Sequence, residues 1–128
     1  MEDCGGRSTC PLTNTLDLIG DKWTLLVIRD MLFLGMKQFG DFLDSPEGIS
    51  TNILTDRLKR LEEHGIVDKK SYQDNPVRYE YFLTPAGYAL KPILMEIAGW
   101  GLTHIEGTKI PSEKELTEIR KRYDRNGK

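Results

Sequence analysis

Cysteine is nearly absent from this chain. Two occur in 128 residues, Cys4 and Cys10. That is too few for the disulfide framework of a small secreted domain, so both read as thiols and not as a staple. Histidine is as sparse. His64 and His104 stand far apart without metal-ligand spacing, so no metal is expected. Long apolar runs are missing too. The richest, "WTLLVI" from Trp23 to Ile28, ends at Arg29 and Asp30, far short of a bilayer span. Met1 to Cys10 is polar and glycine-containing, without the apolar core of a secretory signal. These absences lead to the expectation of a soluble, cytoplasmic protein with no membrane partner.

An excess of either charge is also lacking. Lys and Arg number 18 against 20 Asp and Glu, a net charge of −2. Overall balance therefore gives no support to nucleic-acid binding, which must rest on local placement of charge. No Gly-rich phosphate loop, metal-ligand cluster or nucleophile–base motif occurs, so neither catalysis nor a cofactor is expected. Carboxylate pairs such as Glu62-Glu63 fall on exposed helical positions and read as solvated.

What is present suits one folded domain. Hydrophobic residues make up 38% of the chain, enough for a core, and charged residues 30%. Residues 1–9 read as a flexible arm. Pro11 then suits a first helical turn, with Leu12, Leu16 and Ile19 as its apolar stripe and Gly20 as its end. Asp21 can cap the next helix, "KWTLLVIRDMLFLG", whose apolar residues run nearly all round. It is expected to be the central, buried one. "KQFGDFLDS" places Phe39, Phe42 and Leu43 at helical spacing, with Gly40 weakening the short helix by about 1 kcal/mol relative to alanine. Ser45-Pro46-Glu47-Gly48 is turn chemistry.

Ser50 is an N-cap for the stretch that ends at Gly65, and two helices joined by a short turn make a helix-turn-helix candidate. "IVDKKSYQ" and "VRYEYFLT", split by Asp74-Asn75-Pro76, read as a β-hairpin. Thr84-Pro85 opens a long helix, "PAGYALKPILMEIAGWG", in which Pro92 should cause a bend or the loss of a hydrogen bond. Ser112 and Glu115 form a capping box for a last helix with Leu116, Ile119 and Tyr123 along one side. The expected class is mainly α with a small β-hairpin: a winged helix-turn-helix over residues 10–102 and a C-terminal helical extension over 103–128.

The helix after Ser50 has an unusual outer face. At 100° per residue Ile53, Leu54, Leu58 and Leu61 point inward. Thr51, Asn52, Thr55, Asp56 and Lys59 point the other way. Arg57 falls on the apolar side and must snorkel or pair. A fifteen-residue helix is about 22 Å long, and the major groove, about 12 Å wide, admits a helix. Threonine and asparagine can hydrogen-bond base edges, and the helix start at Ser50 favours a phosphate. Such a face is also what any solvated amphipathic helix shows. The neighbours favour DNA: Lys69, Lys70 and Arg78 make the hairpin a basic ribbon, and Lys37 and Gln38 open the preceding helix. From 50 to 79 the count is only six cations against five anions, so segregation on the surface must do what net charge does not. Asp56 would repel phosphate unless it pairs with a cation or accepts from a cytosine amino group.

"CPLTNTLDLIGDKWTLLVIRDML", "QFGDFLDSPEGISTNILTDRLKRLEEHGIV" and "NPVRYEYFLTPAGYAL" together resemble the HxlR family of bacterial winged helix-turn-helix regulators, from Cys10 to about Trp100. The resemblance implies a homodimeric transcription regulator. It implies recognition by the helix from Ser50 to His64, a wing at Asp74 to Arg78, and dimerisation through extra helices after Cys10 and Thr84. Apolar surface beyond the need of one small core points the same way. Leu12, Leu16, Ile19, Ile93, Ile97 and Trp100 are the expected dimer interface. An inverted-repeat operator would place the recognition helices about 34 Å apart, or a multiple. A protein-interaction module and a regulator answering to a small-molecule effector are the competing readings.

Cys10 precedes Pro11, hence stands at or beside an N-cap. A helix N-terminus favours the thiolate and can lower a thiol's pKa below about 8.5. Some members of the resembled family sense oxidants or electrophiles with a cysteine in this position. Cys4, on an arm with Gly5 and Gly6, could serve as a resolving thiol. The plainer alternative is that Cys10 is a small buried apolar residue and Cys4 an idle one.

Overall fold

A computed structural model of the chain describes residues 9–124. The expected arm at 1–9, Cys4 included, lies outside the described residues except for Thr9. The elements run α1 (Pro11–Ile19), α2 (Lys22–Phe33), α3 (Phe39–Phe42), α4 (Thr51–Glu63), β1 (Val67–Asp74), β2 (Val77–Leu83), α5 (Pro85–Tyr88), α6 (Lys91–His104) and α7 (Glu113–Lys121). The helix–helix–helix–hairpin order from α2 to β2 is that of a winged helix. Among the described residues no helix is long and apolar enough to cross a membrane.

The core lies between α2, α4 and the base of the hairpin. Val27 and Ile28 of α2, Phe42 of α3, Leu54, Leu58 and Leu61 of α4, and Val67 and Leu83 of the strands are all buried there. Such clustering of aliphatic side chains is the main driving force for this packing. Gly65, at φ 73°, takes the left-handed turn that ends α4 and starts β1. The strands pair antiparallel from Val67↔Leu83 to Asp74↔Val77, with Asn75 and Pro76 at the tip and an irregularity between Ser71 and Gln73.

Three expectations are corrected. The long helix after Thr84 is two helices. Thr84 caps α5, which stops at Tyr88, and α6 starts afresh at Lys91. Pro92 therefore sits in the first turn of α6, where its missing N–H is no loss, and does not kink a continuous helix. Gly87 locks α5 down, because a Cβ there would collide with the Ile66 carbonyl and the Leu83 side chain. Secondly, Ile19 is no surface residue. Gly20 turns the chain into α2, and this carries the last residue of α1 into the core at 3% exposure. It leaves the interface set. Thirdly, Leu43 follows the four-residue α3 and stays exposed, while Phe42 is fully buried.

The remaining apolar residues proposed for an interface stay on the surface. Leu12 and Leu16 of α1 and Ile93, Ile97 and Trp100 of α6 are all exposed, and α6 has no buried residue at all. Cys10 is the N-cap of α1 but is buried, at 2% exposure. Its carbonyl accepts from the Asn14 backbone N–H at 3.1 Å and side-chain amide at 2.8 Å. The C-terminal α7 returns to the body of the domain. Leu116 and Tyr123 are buried, the latter within the main core.

Candidate nucleic-acid interface

The α4 helix is anchored at its start and along its inner side. The Ser50 hydroxyl oxygen accepts from the Ile53 backbone N–H at 3.2 Å. Leu54, Leu58 and Leu61 are buried, with Ile53 half-buried beside them. This leaves Thr51, Asn52, Thr55, Asp56 and Lys59 exposed on the opposite side. Thr55 donates its hydroxyl hydrogen to the Thr51 carbonyl at 2.9 Å, so its oxygen faces outward as an acceptor. Among the described residues the Asn52 amide has no intramolecular partner, so both its donor and its acceptor are available.

Arg57 pairs, as its angular position required. Its Nε lies 2.9 Å from Asp21 Oδ2 and its Nη1 2.6 Å from Asp56 Oδ2. Arg60 adds a looser contact to each carboxylate, at 4.0 and 3.9 Å. The acid on the recognition face is thus neutralised from within the protein. Asp21 is also the N-cap of α2, accepting from the Thr24 backbone N–H at 3.2 Å. Partial burial works against its ionisation. The Thr24 and Arg57 hydrogen bonds outweigh that burial and hold its pKa at about 2.

A second ion network braces the turn in front of α4. Arg29 of α2 reaches Glu47 with two bonds, at 2.9 and 2.8 Å, and Ser45 Oγ at 3.1 Å. The same guanidinium lies 2.7 Å from Asp30, whose side chain is 2% exposed. Burial pushes the Asp30 carboxyl up, and Arg29 opposes it. The Arg29 bonds hold Glu47 down at about 2. The local sequence shows only turn residues here, because a partner far along the chain leaves no local signal.

The candidate cations divide. Lys37, Lys59, Lys70 and Arg78 make no ion pair among the described residues. Arg78 sits on β2 close to the hairpin tip and is exposed. Lys69 is engaged inside the protein: its Nζ is 3.4 Å from Glu62 and 4.5 Å above the Tyr79 ring. Gln38 is engaged as well. Its Nε2 donates to Glu80 at 3.1 Å and its Oε1 accepts from Tyr72 at 3.2 Å. A backbone bridge from Gln38 to Glu80 and a Tyr81 N–H bond to the Lys37 carbonyl at 2.7 Å bind the segment before α3 to the wing. Gln38 thus ties the wing to the helix-turn-helix, a role only the tertiary structure reveals. Among the described residues no group of three His, Cys, Asp or Glu side chains could hold a metal.

A polar-faced helix behind a braced turn, flanked by a hairpin with an exposed cation near its tip, defines a winged helix-turn-helix regulator. Comparison with known proteins agrees. The HxlR-like helix-turn-helix model matches residues 18–109, and the chain belongs to that family. An uncharacterised HTH-type transcriptional regulator of Synechocystis sp. is 40% identical over 97 residues, 76% of this chain and 71% of that one. YodB of Bacillus subtilis, an HTH-type transcriptional regulator, is 33% identical over 74% of this chain and 85% of its own. The solved structure of the redox regulator HypR in its reduced form superposes with a TM-score of 0.68 at 34% identity, over 76% of this chain and 95% of that one. Its oxidised form gives 0.66. The protein is a transcriptional regulator of the helix-turn-helix type.

Proposed function

We propose that the protein binds duplex DNA sequence-specifically, as a homodimer on an inverted repeat, with α4 in the major groove of each half-site. The observation that carries this reading is the outer face of α4. Asn52 offers an exposed amide, unpartnered among the described residues, between Thr51 and Thr55, and pairing with Arg57 offsets the repulsion that Asp56 would exert on phosphate. Thr51, Asn52 and Thr55 read base edges. Ser50 lies at the helix start where a phosphate is favoured, and Lys37, Lys59 and Arg78 contact the backbone. Lys69 and Gln38 act indirectly, by holding the wing against α4 and α3. The subunits meet through Leu12, Leu16, Ile93, Ile97 and Trp100, whose exposure leaves an apolar face for a second copy. The test is titration of a bound duplex with the native protein and with Asn52→Ala at several salt concentrations. Native binding should weaken steeply with salt. A duplex affinity that the substitution leaves untouched would remove α4 as the reader.

A thiol-sensing reading stands second. It is favoured by Cys10 at the N-cap of α1, a helix with an exposed apolar side, and by likeness to HypR, solved in reduced and oxidised forms. The burial of Cys10 counts against it, since the thiol must become accessible before it can react. Cys4 lies outside the described residues. Peroxide or a quinone should lower operator affinity in the native protein and leave Cys10→Ser unaffected. A response that persists in Cys10→Ser would refute it.

A further inference from the structure

The densest positive charge of the chain lies outside the helix-turn-helix and outside the segment the family model matches, which ends at 109. From Arg120 to Lys128 there are five cations and one anion, while the rest of the chain holds 13 cations and 19 anions. The stretch from 50 to 79, which contains the proposed reading helix and wing, reaches a balance of only +1. Charge segregated this sharply in a chain of net −2 calls for an anionic partner.

The structure places the start of this basic segment beside the proposed DNA surface. Tyr123, two residues past α7, is buried in the core and anchors the chain where the helix ends. Arg120 donates from Nε to the Phe33 carbonyl at 2.9 Å, at the end of α2. Its side chain lies over Gly35, where a Cβ would come within 3.4 Å of it. Gly35 has φ 75°, so the loop there is built for close approach. As a result Lys37, Arg120 and Lys121 line one open groove together. Lys37 in turn is joined to the wing through the Tyr81 N–H bond. The end of α7 and Lys37 thus share one groove, and the backbone beside Lys37 is joined to the wing strand that carries Arg78.

Acidic residues also border this groove: Asp41 is buried and accepts from the Lys37 and Gln38 backbone N–H groups at 3.1 and 2.9 Å, and Asp44 lies near Tyr123, while the carboxylates that pair with the α7 cations are exposed. Lys121 is 3.3 Å from Glu118 and Arg120 is 3.9 Å from Glu113, with side chains 63% and 87% exposed for the two glutamates. Exposed pairs of this kind are weak and yield readily to a phosphate. Asp124 is the one carboxylate lining the groove.

We propose that the basic end of α7 is an additional DNA-backbone contact, which carries each subunit's footprint past the helix-turn-helix and wing onto the phosphates flanking the half-site. The contact is electrostatic and independent of base sequence. This inference rests on the DNA-binding reading above. Lys121 and Arg122 are the side chains that would meet phosphate, since both are exposed while Arg120 is bonded to α2.

The experiment uses the full chain and two duplexes selected from a random pool, one trimmed to the bound core and one extended by a helical turn on each side. Native protein should bind the extended duplex roughly tenfold more tightly at moderate salt. Lys121→Gln combined with Arg122→Gln should lose that gain. It should also flatten the slope of log affinity against log salt by about 0.9 per residue and subunit. Affinity for the trimmed duplex should change far less. Melting is followed in parallel, and if the pair is less stable, Lys121→Gln alone carries the test because that side chain is 68% exposed. An unchanged salt slope and an unchanged gain from the flanks would overturn the inference while DNA binding stands. Failure of the native protein to bind any duplex would overturn both.

Discussion

Asn52 and Thr55 show how the same helix can be amphipathic and still carry information. A merely solvated face has no need of short groups with unpaired donors and acceptors. Here Thr55 orients its oxygen outward by donating to Thr51, and the exposed Asn52 amide has no hydrogen-bond partner among the described residues. Bidentate contact of such an amide to a base edge is worth about 1–3 kcal/mol of discrimination. Asn52→Ala should therefore relax preference at one operator position and cost about that much, read by competition between single-base variants of the duplex. Arg78→Ala should weaken all duplexes alike. It should also flatten the slope of log affinity against log salt by about 0.9 for each phosphate that is no longer neutralised. The Asn52 face was legible in sequence from a 100° periodicity alone. The neutralisation of Asp56 was legible only as an alternative, because its partner Arg57 is itself fixed by Asp21, 36 positions away.

At the scale of elements, the helix-turn-helix depends on ion pairs that reach across it. Arg29 joins the buried Asp30 to Glu47 and Ser45, and so fixes the turn from which α4 departs. Removing it leaves a buried carboxylate without its cation, a loss on the order of 3 kcal/mol. Arg29→Ala should thus lower the urea midpoint markedly, and a midpoint equal to that of native protein would contradict the bracing role. Acid should act on the same joints. The folded pKa values of Asp21 and Glu47 lie at about 2, below their ordinary 3.8 and 4.5. Their stabilisation is full above those ordinary values and is lost as pH falls toward 2. The urea midpoint should drop across that window, and Asp21→Asn should show a shallower drop. Local signals made most elements legible: the Asp21, Ser50, Thr84 and Ser112 caps all fall where cap chemistry placed them. The split between α5 and α6 was only partly legible: Pro92 marked a break, but that α5 ends at Tyr88 and α6 starts afresh at Lys91 is seen only in the structure.

For the whole molecule, the unmet need is cover for α6. Its outward residues Ile93, Met95, Ile97 and Trp100 are each more than 40% exposed, together with Leu12 and Leu16 on α1. A set of large apolar side chains in that state marks an interaction surface, and the proposed dimer closes it. Sedimentation should give a dimer at micromolar concentration, and Ile97→Glu should shift it to monomer and weaken operator binding together. Native sedimentation as a monomer would remove this interface. Ile19 shows the limit of reading such surfaces from sequence: its spacing matched Leu12 and Leu16, and only the turn at Gly20 carried it inward. The central claim is sequence-specific recognition of DNA by paired α4 helices. Its most direct test is selection of bound duplexes from a random pool with the native chain. The expected result is an enriched inverted repeat with half-site centres about 10–10.5 base pairs apart, or a multiple of that spacing. Recovery of duplexes with no common sequence, or with a single unpaired site, would contradict it.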